Sequence, residues 1–224
     1  MTILLAIDGT GPWDDDEYAE EFGHSHVRKI WYHTQATRKR YLRGPSMLGS
    51  EMSGLVRDGL AFVEDRRRDD EPILLTGYSR GAAAVVAIAR ELSSSGARVA
   101  GLMLFDCVNR AVGFNTDVLP TNVEEVRHVR RHRDAGSRES FGHSGSRLPA
   151  GAPPPRYEQS FHLGTHGALG GVPWRGTPAQ ASHLIYESPD GLTNITYADD
   201  AACSREVWNA VRPFLYRLGF LGPA

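Results

Sequence analysis

The sequence predicts an α/β fold, a three-layer sandwich with a mainly parallel sheet and helices on both faces. Three observations predict it. Short apolar runs alternate along the chain with segments of helical periodicity. The central runs are apolar on both faces, as in a parallel sheet covered by helices. One strand-to-helix junction, "ILLTGYSRGAAAVVAIARE" at 73–91, turns on a serine set between two glycines.

The elements follow in order. "TILLAI" (2–7) reads as a first strand ending at Asp8-Gly9-Thr10-Gly11, and the acidic "PWDDDEYAEEFGHS" reads as a polar loop. "VRKIWYH" (27–33) is predicted as a second strand. Met52, Leu55, Val56, Leu60 and Val63 recur at helical spacing, and the segment ends at Asp69-Asp70-Glu71-Pro72. "ILLTG" is the third strand; "GAAAVVAIARELSSSG" is a helix stopping at Gly96. "VAGLMLFD" (99–106) is a fourth strand and "EEVRHVRRHRD" (124–134) a fifth. The Pro/Gly-rich "RLPAGAPPPR" reads as a surface excursion, and "YEQSFHLGTHGALGG" holds a last short strand and turn. "SREVWNAVRPFLYRLGF" (204–220) is a closing helix kinked or broken at Pro213.

The 224 residues, 41% of them hydrophobic, suit one domain over 1–224 with a sizeable core. A net charge of −2 gives no reason to expect a nucleic-acid partner, and "RHVRRHR" lacks interleaved aromatics. Two cysteines, Cys107 and Cys203, supply neither a disulfide scaffold nor a metal framework, and Cys107 reads as a buried small hydrophobe. His24, His26 and the Asp14–Asp16 run read as a solvated loop, so no metal and no cofactor are expected. No run approaches the roughly 18 apolar residues of a membrane span. The start "MTILLAIDGTG" has no basic n-region, which places the chain in the cytoplasm unless it leaves by a route without a cleaved signal. The oligomeric state is not legible.

Gly77-Tyr78-Ser79-Arg80-Gly81 fits G-x-S-x-G in the strand–turn–helix context that a nucleophile elbow needs. The alternative is a structural turn whose serine caps the helix. A serine hydroxyl needs a base, with an acid behind it, in the chain order Ser, acid, His. Of His128, His132, His143, His162, His166 and His183, His166 is best placed, in the glycine-rich "LGTHGALGG". His162 reads as a packed or edge residue, and His128 and His132 as part of a solvated face. Asp106 ends the strand after the elbow helix and is the candidate acid; Asp134 is the runner-up. The oxyanion hole would take the N–H of Arg80 and a second from Gly9 or Thr10. Asp8 is left to brace that loop or bind a cation. Trp13, Trp31, Leu119 and Trp174 are the candidates for an apolar rim, with Trp13 and Trp174 on loops near the site.

"AIDGTG", "LLTGYSRGAA", "LMLFDCV", "VRHVRRHRDAGSRESF" and "FHLGTHGALGGVPW" stand in the order found in the DUF2235 family of α/β-hydrolases, which includes type VI secretion lipase effectors of the Tle1 class. The sequence resembles that family from residue 3 to about 174. The resemblance implies Ser79 as nucleophile, Asp106 as triad acid and His166 as base, with Asp8, Gly9 and Thr10 at the active-site rim. Ala168 stands where the family has an aspartate two residues after its histidine, and Cys107 replaces a threonine. The effectors also carry large extra segments, and this chain is close to a bare core. The expected function is hydrolysis of a carboxylic ester, small or lipid (a phospholipid included). The same residues would serve an acyltransferase or thioesterase, and the alternative from another class is a non-catalytic binding protein on the same fold.

Overall fold

The computed structural model describes residues 2–46, 51–68, 71–108, 114–150 and 155–222. Asp69 and Asp70, and residues 151–154 of the Pro/Gly loop, lie outside the described residues.

Six strands form one parallel sheet: β1 (Ile3–Ile7), β2 (Arg38–Leu42), β3 (Ile73–Tyr78), β4 (Val99–Phe105), β5 (Val123–Arg131) and β6 (Arg156–His162). Their spatial order is β2-β1-β3-β4-β5-β6. β1 and β3 are buried along their whole length, as their two-sided apolar sequences require. One face is covered by α3 (Met52–Arg66) and α4 (Arg80–Ser94), whose Val56, Val63, Ala84 and Ile88 pack on Leu5, Leu75 and Leu102. The other is covered by α1 (Asp15–Phe22), α2 (His26–His33), α5 (His166–Gly170) and α6 (Tyr197–Arg217), with Phe22, Ile30, Val207 and Val211 against Leu4, Leu74 and Met103. This is the three-layer α/β architecture that the alternating elements predict.

The chain reverses its direction of winding between β1 and β3. A crevice opens at such a point, beyond the carboxyl ends of the two strands. Asp8-Gly9-Thr10 leaves β1 there, and Ser79 leaves β3 beside it.

Five features differ from what the sequence predicts. Residues 27–33 belong to α2, capped by the Ser25 hydroxyl on the Arg28 N–H. Val27 and Ile30, three residues apart, are its buried stripe. The acidic "loop" is α1: the Asp14 carboxylate accepts the Asp16 and Glu17 N–H groups, and Tyr18 and Phe22 bury one face. The second strand is instead β2, a charged "RKRYL" edge. A two-stranded antiparallel hairpin, β7 (Leu184–Glu187) and β8 (Gly191–Thr196), precedes α6. α6 starts at Tyr197 and runs through Pro213 instead of breaking there.

No helix among the described residues is long and apolar enough to cross a membrane.

Candidate active site

β3 delivers Ser79 at a sharp bend. Its φ is +56°, a left-handed value that a non-glycine residue adopts only under strain. The flanking glycines are required by contact. A Cβ at Gly77 would stand 2.5 Å from the Gly81 carbonyl oxygen, and one at Gly81 would stand 2.2 Å from the Asp8 carbonyl oxygen. The turn is held by the Ser79 N–H on the Phe105 carbonyl (3.0 Å), and α4 begins at the next residue. The Ser79 side chain makes no capping hydrogen bond to α4, so it does not play the part of a helix cap. Its Oγ is 2.8 Å from His166 Nε2 instead.

His166 opens α5, behind the Thr165 cap. Its Nδ1 lies 2.6 Å from Asp106 Oδ2. Its backbone N–H donates to the Ser137 hydroxyl (2.9 Å), and its carbonyl accepts from the Tyr78 hydroxyl (3.1 Å). The imidazole is boxed by the Tyr78 ring at 4.9 Å and the edge-on Phe141 ring at 5.3 Å. Burial is the largest influence on its basicity and holds its pKa below 6.5, against the pull of Asp106. The ring is therefore neutral at pH 7, with Nε2 free to take a proton.

Asp106 directly follows β4, fully buried, with φ +41°. Burial pushes its pKa up, but the Arg131 guanidinium, the His166 hydrogen bond and the Arg131 N–H outweigh it and leave the pKa at about 2. Arg131 Nε stands 2.5 Å from Asp106 Oδ2, and the Arg131 N–H donates to Oδ1 (3.2 Å). The same guanidinium donates to the carbonyls of Ser137 (2.7 Å), Arg138 (2.6 Å) and Gly142 (2.9 Å). One buried arginine thus holds both the acid and the loop that carries Ser137 and Phe141.

Two further carboxylates brace the histidine loop. Asp200, at 0% exposure on α6, accepts from the Thr165 N–H (2.8 Å), the Thr165 hydroxyl (3.0 Å) and the Trp174 N–H (2.9 Å). Glu187 on the hairpin accepts from the Ser137 hydroxyl (2.8 Å), the Arg138 N–H (3.0 Å) and the Trp174 indole (3.0 Å). Ala168 is buried under this frame. Arg131, Ser137, Glu187 and Asp200 escape a sequence reading because each acts through a fold-dependent contact, 25 to 50 residues from its partner in the chain.

The β1 loop closes the other side. A Cβ at Gly9 would meet the Tyr78 ring at 2.5 Å and the Ser79 Cβ at 3.2 Å, so only glycine lets this backbone reach the serine. The Gly9 N–H is taken by Asp8 Oδ1 (3.1 Å), so of the two candidate donors only the Thr10 N–H has no acceptor among the described residues. The Arg80 side chain donates to the Thr10 hydroxyl (2.5 Å) and to the Ser46 carbonyl (3.0 Å), linking the elbow to this loop.

The remaining candidates lie apart. Asp134 is exposed in a turn after β5, its carboxylate facing His132 and Arg133. His128 is fully buried rather than solvated: its Nε2 accepts the Cys107 N–H and its Nδ1 donates to the Gly145 carbonyl. His162 lies on the edge strand β6, and His183 is exposed. His143 is half-exposed, with Nδ1 4.0 Å from Asp106 Oδ1. His26, read as part of a solvated loop, is buried between Phe105 and Trp208. Leu119 is buried and Trp31 packs on Tyr41, so neither forms a rim, whereas Trp13 is 74% and Trp174 40% exposed. Cys107 is buried and free.

A hydroxyl, a neutral imidazole and an ionised carboxylate in one hydrogen-bonded line form the arrangement that general-base activation of a nucleophile requires.

No family model matches the chain, and no curated protein matches it. Among solved structures it is similar to an uncharacterized protein from Pseudomonas aeruginosa, at 16% identity over 76% of this chain and TM-score 0.49. The chain spans 42% of that protein's length. It is also similar to the NocB thioesterase domain, solved as a covalent complex with a fluorophosphonate nocardicin G analog, at 13% identity over 75% of this chain and 86% of that one (TM-score 0.42). A third similar structure is the metagenomic carboxyl esterase MGS0156, at 10% identity over 93% of this chain and 75% of that one (TM-score 0.37).

Proposed function

We propose that the chain is a serine hydrolase of carboxylic esters. The observation that carries this reading is the line Asp106–His166–Ser79, with contacts of 2.6 and 2.8 Å and the serine on a strained elbow. Ser79 Oγ attacks the acyl carbonyl while His166 Nε2 takes its proton. The tetrahedral oxyanion is met by the N–H groups of Arg80 and Thr10, the first at the positive end of α4. Asp106 holds the Nδ1–H tautomer and stabilises the imidazolium. His166 then protonates the leaving alkoxide, and the acyl-enzyme is hydrolysed by a water that His166 deprotonates.

The exposed indoles of Trp13 and Trp174 support a substrate with an apolar acyl group. Kinship to the DUF2235 α/β-hydrolases is part of the same proposal, supported by the ordered motifs. Hydrolysis of p-nitrophenyl esters from short to long acyl chains tests it, wild type beside Ser79→Ala. The expected result is turnover that rises with chain length and is lost in the variant. Equal turnover by both proteins would sink the reading.

A further inference from the structure

Asp8 is buried beside the elbow, yet none of the steps above uses it. It accepts three hydrogen bonds: from the Gly9 N–H on Oδ1 (3.1 Å), and from the Ser25 and Tyr41 hydroxyls on Oδ2, the latter at 3.0 Å. The Ser25 oxygen is itself occupied as acceptor of the Arg28 N–H (2.9 Å). On the other side of Gly9, the Tyr18 hydroxyl donates to the Gly9 carbonyl (2.7 Å) and accepts the Gly44 N–H (2.8 Å). Both ends of Gly9 are therefore pinned, one by Asp8 and one by Tyr18. Because the peptide is trans, a Gly9 carbonyl fixed on Tyr18 turns the Thr10 N–H the opposite way.

We infer that Asp8 is a positioning residue, whose carboxylate holds the Gly9–Thr10 turn in the conformation that presents the Thr10 N–H to the oxyanion. The inference rests on the proposed hydrolase reading. Its chemistry is a matter of donors and acceptors. An ionised carboxylate is acceptor-only and suits three converging donors. A protonated one places its own O–H against the Ser25 and Tyr41 hydroxyls, so a donor must turn away and the carboxyl must shift. Gly9 is tied to that carboxyl and moves with it.

The charged and titratable groups facing Asp8 are Arg28 from α2, Tyr41 from β2, Tyr18 from α1 and Tyr78 from β3. Only Arg28 is cationic, and burial dominates: the pKa of Asp8 is raised to about 7, with Ser25, Tyr41 and Gly9 pulling it down. Since burial keeps His166 below 6.5, two groups shape the acid side of the activity profile, and Asp8 is the one that titrates first as pH falls.

The test is the rate of Ser79 labelling by a fluorophosphonate between pH 5 and pH 9, for wild type, Asp8→Asn, Ser25→Ala and Tyr41→Phe. Wild type is expected to lose rate from about pH 7 downward, along a limb steeper than one proton. Asp8→Asn, a mimic of the protonated side chain, is expected to label roughly 10- to 100-fold more slowly at pH 8. Its remaining limb lies below 6.5 and involves one proton. Ser25→Ala and Tyr41→Phe each remove a bond that lowers the Asp8 pKa, so their limbs move to higher pH. A purely structural role would slow labelling without moving the limb. Folded variants whose limbs coincide with that of wild type would overturn the inference while leaving the hydrolase reading intact. A wild type that does not label on Ser79 at any pH overturns the hydrolase reading, and the inference with it.

Discussion

Two aspartates flank the strand that carries Ser79, and they behave in opposite ways. β3 lies between β1, which Asp8 follows directly, and β4, which Asp106 follows directly. Both carboxyls are fully buried and both accept backbone N–H bonds. Yet one has its pKa raised to about 7 and the other lowered to about 2. Desolvation is the largest influence on each and pushes both upward. The difference is the counter-charge. Asp106 has a buried guanidinium at 2.5 Å, whereas Asp8 has neutral hydroxyls and a more remote Arg28. Similar burial at the same sheet edge thus leaves an ionised carboxylate on one side of Ser79 and one that titrates near neutrality on the other.

The comparison can be broken at several points. The largest effect is expected on the Asp106 side. Asp106→Asn stabilises the wrong imidazole tautomer and is expected to lower kcat by about 10⁴-fold in an ester-hydrolysis assay, without unfolding the protein. Next is Arg131→Met, which leaves Asp106 buried without its cation. A loss of about 3–5 kcal/mol in urea unfolding is expected, because breaking a buried pair strands one charge. The acid limb of kcat should also move upward, because the Arg131 charge that lowers the His166 pKa is gone. Arg131→Lys keeps the charge but not the fork to three carbonyls, and it is expected to recover only part of both.

Asp8→Asn should have the opposite effect on stability. The folded-state pKa of Asp8 lies above its unfolded value of 3.8, so its favourable contribution is fully present below that value and is lost as pH rises through about 7. At pH 8 the native protein carries a buried charge, and the variant does not. The variant is expected to be more stable than wild type at pH 8, by a few kcal/mol, and to lose that advantage toward pH 4. A variant slower at Ser79 but harder to unfold marks a residue kept for function at a cost to the fold. The smallest effect is expected from Glu187→Gln, whose amide oxygen can still accept one of its three donors. A several-fold drop in kcat with little change in KM is expected from a loosened Ser137–His166 contact.

The strands that position the site were legible because they are central and apolar on both faces, as in "TILLAI", "ILLTG" and "VAGLMLF". The candidate residues Ser79, Asp106 and His166 were legible as a chain-ordered set, and the structure brings them into contact. What was missed has physical causes. "VRKIWYH" mixes apolar and polar residues in a way that fits either period over so short a run, and the Ser25 cap that marks it as a helix is a single residue. The charged β2 is an edge strand with Lys39 and Arg40 exposed, so no apolar alternation identifies it. The β7–β8 hairpin did carry a signal, the turn residues Pro189-Asp190-Gly191. His128 looked solvated beside its arginines, because its buried partners, Cys107 and Gly145, are 21 and 17 residues away in the chain.

Whether Ser79 is a nucleophile activated by His166 is tested most directly by peptide mass spectrometry of the native protein after exposure to a fluorophosphonate. One phosphonyl adduct is expected, on the Ser79 peptide, that is lost in Ser79→Ala and strongly slowed in His166→Ala. No adduct on the folded protein, or an adduct on another residue that persists in Ser79→Ala, would contradict it.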